Sequence, residues 1–349
     1  MKLYNLGKVP WEESQLIYHA LAHMGEEALC LVSPNSPYVC IGFHQDVEQE
    51  VDLDFCRQNQ IPVFRREVGG GAVYLDGNQL FFQLILHHDN PVAPKRIEAF
   101  YKKFLQPIID VHQRIGLSVN YKPVNDLIID NRKISGTGAG EIEESIVFVG
   151  NLILDFDYAM MSRVLKIPDE KFRDKVKQTI EENLSTIQRE LQPSEFEQLD
   201  ESGLNQMMAE EFQKLLGPMI AVQKEEIPSA KIAEVKTSML NDAWLFQRGR
   251  RKKERVVKVR SGLEVVQRVY KTSGGLIRAA FVIAENKYTD IDISGDFFCF
   301  PKHAIGHLVA MLENCPRENL ANLITEFYQK EKFEIPGVSI ADWLAVFKL

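Results

Sequence analysis

Apolar residues recur at three-to-four spacing from Trp11 to Gly25, where Leu16, Ile17, Ala20, Leu21 and Met24 fall on one face and predict an amphipathic helix. Two β-rich runs follow, Ala28 to Val32 and Tyr38 to Gly42, separated by Ser33-Pro34-Asn35-Ser36-Pro37, a turn cluster of hairpin size. Val51 to Asn59 reads as helix, Ile61 to Arg65 as extended chain, and Leu80 to Leu86 as a strand buried on both faces. Residues 95–115 carry Ile97, Phe100, Tyr101, Phe104, Leu105, Ile108 and Ile109, the pattern of one long core helix with a kink at Pro107. Leu117 to Tyr121, Asp126 to Asp130, Lys133 to Ser135 and Ile146 to Leu154 then alternate as strands, joined by turns too short to hold crossover helices. The expected class is α+β, with a large mixed or antiparallel sheet and flanking helices.

From about 157 to 217 the pattern is helical and acidic, with Met160, Val164 and Leu165, then Leu204, Met207, Met208, Phe212 and Leu215 at helical spacing. Leu263 to Val269 and Leu276 to Ile283 alternate around Ser273-Gly274-Gly275, a hairpin signal, and helices are expected from Pro301 to Leu312 and Arg317 to Gln329. This divides the chain into a larger domain, residues 1–243, and a small α+β domain, residues 244–349.

With 349 residues the chain is long enough for two cores, and its net charge of −8 argues against nucleic acid as the main partner. No apolar run reaches the ~18 residues of a membrane span, and no signal-peptide core follows Lys2, so a cytoplasmic protein without membrane partners is expected. Cys30, Cys40, Cys56, Cys299 and Cys315 are scattered, without a C-x-x-C pair, and read as buried thiols. Eight basic residues fall between Arg248 and Arg260, but without interleaved aromatics the run reads as a solvated loop.

Candidate chemistry is concentrated in two stretches. In Arg65-Arg66-Glu67-Val68-Gly69-Gly70-Gly71-Ala72-Val73-Tyr74-Leu75-Asp76, three glycines let a ligand approach bare backbone N–H groups beside two cations. The same stretch also fits a flexible turn with two solvated arginines. In Asn125-Asp126 and Lys133-Ile134-Ser135-Gly136-Thr137-Gly138, an amide, a carboxylate and an ammonium precede alternating glycines. Taken alone, Lys133 also fits a surface hairpin, and neither a Walker A loop nor a Rossmann fingerprint is present. His87-His88 at a strand end are expected to point to opposite faces, and His303/His307 to be structural or surface residues.

Together the two stretches resemble the lipoate–protein ligase family, within the biotin and lipoate ligase fold. The first is similar to that family's R-R-x-x-G-G-G-x-V-x-H-D segment and the second to its N-D followed by K-[IV]-S-G. Gly42-Phe43-His44-Gln45, Glu50-Val51-Asp52 and Gly150-Asn151-Leu152-Ile153-Leu154 extend the likeness. Trp244-x-Phe246 and Gly295-Asp296-Phe297-Phe298 resemble the accessory C-terminal domain. Leu75 replaces the usual histidine, Val149 stands where a histidine commonly precedes Gly150, and the Asp76-Gly77-Asn78 turn is one residue short.

The resemblance implies an enzyme that activates lipoate with ATP and Mg²⁺ to an acyl-adenylate and passes the acyl group to a lysine of a lipoyl-carrier domain. It implies Lys133 as the catalytic cation holding carboxylate and α-phosphate together. Arg65, Arg66, Gly69, Gly70, Gly71, Ala72, Val73, Asn125, Asp126, Ser135, Gly136, Thr137 and Gly150 would bind substrate and ATP, with Asp126 also the candidate Mg²⁺ ligand. Two alternatives stay open: an acyltransferase of the same fold working through Cys30, Cys40 or Cys56, and a lipoate- or adenylate-binding protein without turnover.

Overall fold

The computed structural model describes residues 1–167, 170–248, 263–329 and 333–347. Most of the basic run after Arg248 therefore lies outside the described residues.

A six-stranded mixed sheet has the spatial order β10 (Thr137–Ile142), β11 (Ser145–Ile153), β6 (Gln79–His87), β2 (Ala28–Pro34), β1 (Lys2–Val9) and β12 (Ile220–Ala221). The β1–β2 and β1–β12 pairs are parallel and the rest antiparallel, so the expected α+β class with a mixed sheet is observed. β6 is central and buried along nearly its whole length, which is why its sequence is continuously apolar apart from its glutamines. Phe82 turns to the helices Ile97–Phe104 and Glu201–Leu216, meeting Phe148 at 5.4 Å and Phe212 at 5.8 Å. Phe81 and Gln83 turn the other way, toward the helix Glu13–His23.

Two expectations change. β2 and the strand after it do not form a hairpin, because β2 is already paired on both sides, with β6 and β1. The chain instead crosses to a second sheet, β4 (Val63–Arg65), β3 (Tyr38–Ile41) and β5 (Val73–Leu75). The long helix at 95–115 is two, Ile97–Phe104 and Gln106–Arg114, broken at Leu105; Pro107 lies in the first turn of the second, where its missing N–H costs nothing.

A third sheet, β7 (Asn120–Lys122), β8 (Asp126–Ile129) and β9 (Arg132–Ser135), carries the candidate lysine. Asp130 and Asn131 both adopt positive φ, 46° and 64°, the backbone of a two-residue hairpin turn that short polar side chains tolerate. The alternating glycines after it lie on the edge strand β10. A Cβ on Gly138 would lie 3.3 Å from Val68 and 3.2 Å from Phe298, so its glycines let the 66–71 loop lie against the sheet.

Residues 263–329 and 333–347 form a second body: β13 (Leu263–Thr272), β14 (Gly275–Ala284) and β15 (Lys287–Gly295), with helices Ala304–Leu312, Leu320–Gln329 and Ile340–Phe347. Its core, built on Ile277, Phe281, Phe297, Trp343 and Phe347, is separate from the first. Trp244 and Leu245 pack with the first body, so the expected division at residue 244 falls inside it.

Candidate functional site

The two motif stretches meet in a cavity of about 590 Å³ between β6, β11, the helix Glu13–His23, the 66–75 loop and the 122–138 segment. Of the residues singled out from sequence, Arg66, Gly70, Gly71, Ala72, Val73, Asn125, Asp126, Lys133, Gly136, Thr137 and Gly150 line it. Arg65, Gly69 and Ser135 do not. Arg65 is fully buried and spends its guanidinium on the carbonyls of Gly42, Phe43, Gln45, Trp244 and Leu245, at 2.6 to 3.2 Å. Adjacent residues in extended chain face opposite ways, so of the two arginines only Arg66 faces the cavity.

Arg66 shapes the loop it belongs to. Its Nη2 donates to the carbonyls of Gly69 (2.8 Å) and Gly71 (3.0 Å), folding the glycines around the guanidinium. Gly70 sits at φ +92°, and a Cβ there would lie 3.0 Å from Phe298 and 3.1 Å from Arg66, so glycine is required by the folded backbone itself. Gly71 is different: a Cβ there would meet Asp296 Cβ at 3.7 Å, an ordinary van der Waals contact, so a small side chain has room beside the cavity.

Lys133 Nζ lies 2.6 Å from Asp126 Oδ1, with both side chains about one-third exposed (36% and 32%). Behind it, Ser185 N–H donates to the Lys133 carbonyl at 2.7 Å and Arg132 pairs with Glu190 at 2.8 Å, fixing the strand from its outer side. Asn125 and Thr137 bond reciprocally, the amide donating to the Thr137 carbonyl and the Thr137 hydroxyl to the Asn125 carbonyl. That pair pins the 122–126 segment to β10. Asn151, next to Gly150, accepts from Gly136 N–H at 2.9 Å and donates to Gln79 at 2.7 Å, holding the backbone that faces Lys133.

Sequence reasoning did not find the contribution of the second body. Lys271, Ser273, Gly274, Gly275, Asp296 and Phe298 complete the cavity wall. With Lys122, Lys133, Lys271 and Arg66 against Asp126 and Asp296, the lining holds four cations to two carboxylates in a chain of net charge −8. Such a concavity focuses positive potential on an anionic ligand. Gln15, Tyr18, Cys40 and Gln83 also line it and carried no motif signal.

All five cysteines are buried, as expected, and burial raises the Cys30, Cys40 and Cys56 thiols above their ordinary value. Cys40 alone of the three lines the cavity, with Arg66 Nη1 3.5 Å from its sulfur. The two adjacent histidines do not point apart. His88 has left the strand, so alternation fails and the rings stack at 4.4 Å beside Glu144. His87 Nδ1 accepts the Asp89 N–H at 3.2 Å, which leaves Nε2 to face Glu144 at 3.4 Å; this group lies at the β6 end, away from the cavity lining. Among the described residues no helix is long and apolar enough to cross a membrane.

Comparison with known proteins gives a consistent result. Lipoate–protein ligase A subunit 1 of Thermoplasma acidophilum is 28% identical over 183 residues, 50% of this chain and 68% of that protein. Lipoate–protein ligase 1 of Staphylococcus aureus is 24% identical over 305 residues, 85% of this chain and 80% of its own. Octanoyltransferase LipM of Geobacillus kaustophilus is 23% identical over 176 residues, 44% of this chain and 63% of that protein. Among solved structures, the bipartite Thermoplasma acidophilum ligase, described with its E2 lipoyl domain, superposes with a TM-score of 0.62 at 22% identity, over 73% of this chain and 98% of that one. LipL1 of P. falciparum, in complex with lipoate, gives 0.67 at 16% identity over 95% of both chains. Residues 9–213 match the family model of the lipoyl protein ligase A/B catalytic domain, and the chain belongs to that family.

Proposed function

We propose that the protein is a lipoate–protein ligase that joins lipoate, or a close analogue, to a carrier lysine through an acyl-adenylate. The observation that carries this reading is Lys133, an ammonium fixed by Asp126 at 2.6 Å on the wall of a net-cationic cavity whose other side is a bare glycine loop. A carboxylate and a triphosphate repel each other, and Lys133 is the group that bridges them. The carboxylate oxygen attacks the α-phosphorus, the bond to the β-phosphate oxygen breaks, and pyrophosphate leaves with its electron pair. In the second step a lysine amine attacks the acyl carbonyl, AMP departs, and the amine proton is released. No protein nucleophile is needed.

Arg66, held by the Gly69 and Gly71 carbonyls, counters the adenylate's charge, while Asn125, held by Thr137, shapes the nucleotide end. Mg²⁺ accompanies the nucleotide phosphates and adds charge neutralisation when bound. Asp126 fits it as a single carboxylate donor, since Lys133 engages one of its oxygens. We assign the second body, which begins at β13, as an accessory unit that closes the cavity through Lys271, Asp296 and Phe298 during activation and moves aside for the carrier. A relative described with its E2 lipoyl domain and a structure described as ligase A bound with ATP support the partner and the nucleotide.

A second reading, a carrier-to-carrier acyltransferase, draws on Cys40 in the cavity wall and on the similarity to octanoyltransferase LipM. One experiment separates them: the intact mass of a lipoyl-carrier domain after incubation with lipoate, ATP and Mg²⁺, using wild-type protein and Cys40→Ala. ATP-dependent addition of one lipoyl group by both proteins is expected. ATP-independent transfer that Cys40→Ala abolishes in folded protein, with an acyl thioester trapped on Cys40, would replace the ligase reading.

A further inference from the structure

The 42–45 turn and the 295–298 segment meet where the two bodies join. Gly295 N–H donates to the His44 carbonyl at 3.1 Å, and the Phe297 ring stacks on the His44 imidazole at 5.1 Å. Two ion pairs cross the same joint, Arg278 with Glu50 at 2.9 Å and Lys302 with Glu67.

His44 is 1% exposed, and its Nδ1 has no hydrogen-bond partner. A neutral imidazole tolerates this: with the proton on Nε2, Nδ1 is only an unused lone pair. An imidazolium does not, because both ring nitrogens then donate and the Nδ1 hydrogen would be buried without an acceptor. The charges that reach the ring, those of Arg65 and Arg248, are both positive. The carboxylates of the adjoining segments are turned to other partners. Asp46 accepts from Glu48 N–H at 3.1 Å and from the Gln49 amide at 2.7 Å, Asp296 Oδ1 accepts the Leu276 N–H, and Glu50 pairs with Arg278. Burial, reinforced by the two arginines, accordingly pulls the docked imidazole down to about 3.

Resting on the reading that the second body lifts away for the carrier, we propose that His44 makes this joint acid-sensitive: the imidazole stays neutral while the bodies are docked and takes up a proton once they part. A fall in pH then favours the open form. The freed ring returns toward the ordinary histidine value of about 6.5, so below that pH only the open form binds the proton. From this group the opening constant rises about fourfold between pH 7.5 and 6. Glu50 acts in the opposite sense, since burial holds its docked carboxyl above the usual range despite Arg278, and its proton favours docking. Glu67, held at about 2, contributes only below about pH 4.5.

Hydrogen exchange followed by mass spectrometry reads the opening, with peptides covering 41–46 and 293–299 for the joint and peptides of β6 for whole-molecule unfolding. Wild-type protein is compared with His44→Phe, which keeps a ring against Phe297 and leaves Glu50 in place, at pH 7.5 and 6 after correction for intrinsic exchange. The joint peptides of the wild type should lose about fourfold in protection relative to the variant between these pH values, with β6 better protected throughout. A wild-type to variant ratio that does not change with pH overturns the proposal. His44→Gln serves as a second non-titrating variant; if neither folds, the wild-type change alone decides, a loss of about fourfold supporting the proposal and no loss overturning it. Joint peptides that exchange only together with β6 would show that the bodies do not part on their own, which overturns the lifting of the second body and the role of His44 together.

Discussion

Trp244 and Arg65 hold each other from both sides: the indole Nε1 donates to the Arg65 carbonyl at 2.8 Å, and Arg65 Nε donates to the Trp244 carbonyl at 3.2 Å. The first arginine of the motif is thus a tether for the segment that ends the first body, and its neighbour Arg66 is the one offered to a ligand. Arg65→Met should lower the unfolding free energy in urea by about 3 kcal/mol or more, because it strips a buried donor set from five carbonyls. The variant that remains folded should keep its affinity for ATP and acid; loss of affinity with full stability would return Arg65 to the site.

Three buried histidines set a pH dependence. Burial pulls His19 and His112 down to about 4 and His44 to about 3. At neutral pH they are uncharged in both folded and unfolded chain. As pH falls through about 6.5 the unfolded chain takes up protons that the folded chain does not, so stability drops between about pH 6.5 and 4. Each such proton contributes a slope of about 1.4 kcal/mol per pH unit. Glu67 adds to the loss only lower down: burial favours its neutral form, but the His23 hydrogen bond and the His19 and Lys302 charges outweigh this and hold it at about 2, so its contribution fades from about pH 4.5 downward. Urea unfolding at pH 7, 6 and 5 should show the decline, and His112→Gln should flatten it by about one third. A flat profile would mean that these histidines are protonated in the folded protein.

How much was legible in the sequence depended on whether a residue's role was local. The helix Glu13–His23, the central strand β6 and the hairpin at Gly274-Gly275 follow from short-range periodicity and turn chemistry, and they were read correctly. The chain path after β2 was not, because whether a strand finds a partner depends on which strands already flank it. The alternation of Gly138 and Gly140 does not say what they make room for; their smallness serves Val68 and Phe298, neither of which is nearby in sequence. In the site, most residues of the two motifs converged, but Gln15 and Gln83 are ordinary polar residues on regular elements and Asp296 lies in the bend after β15, and only packing brings them to the cavity. Arg65 was misplaced among ligand contacts because a motif does not say which face of the strand each residue takes.

Lys302 ties the second body to the cavity loop. Its ammonium pairs with Glu67, which also bonds His23 at 2.7 Å, and lies 5.5 Å from the centre of the Phe43 ring. If the second body closes the cavity for activation only, Lys302→Ala should slow adenylate formation about fivefold or more while leaving transfer from preformed lipoyl-AMP nearly unchanged. Cleavage by protease between residues 248 and 263 should also differ with and without lipoyl-AMP. Equal slowing of both steps, with identical proteolysis in the two states, would make the second body a fixed wall.

The central claim rests on Lys133 as the cation that joins carboxylate and α-phosphate. Its side chain is one-third exposed and held by Asp126, so its removal should spare the fold. The direct measurement is the rate of lipoyl-AMP and pyrophosphate formation from lipoate and ATP by wild-type protein and Lys133→Ala, with urea unfolding of both as the control. The account predicts a loss of about 10²–10³-fold in the variant at unchanged stability. Wild-type turnover by a folded Lys133→Ala protein would contradict it.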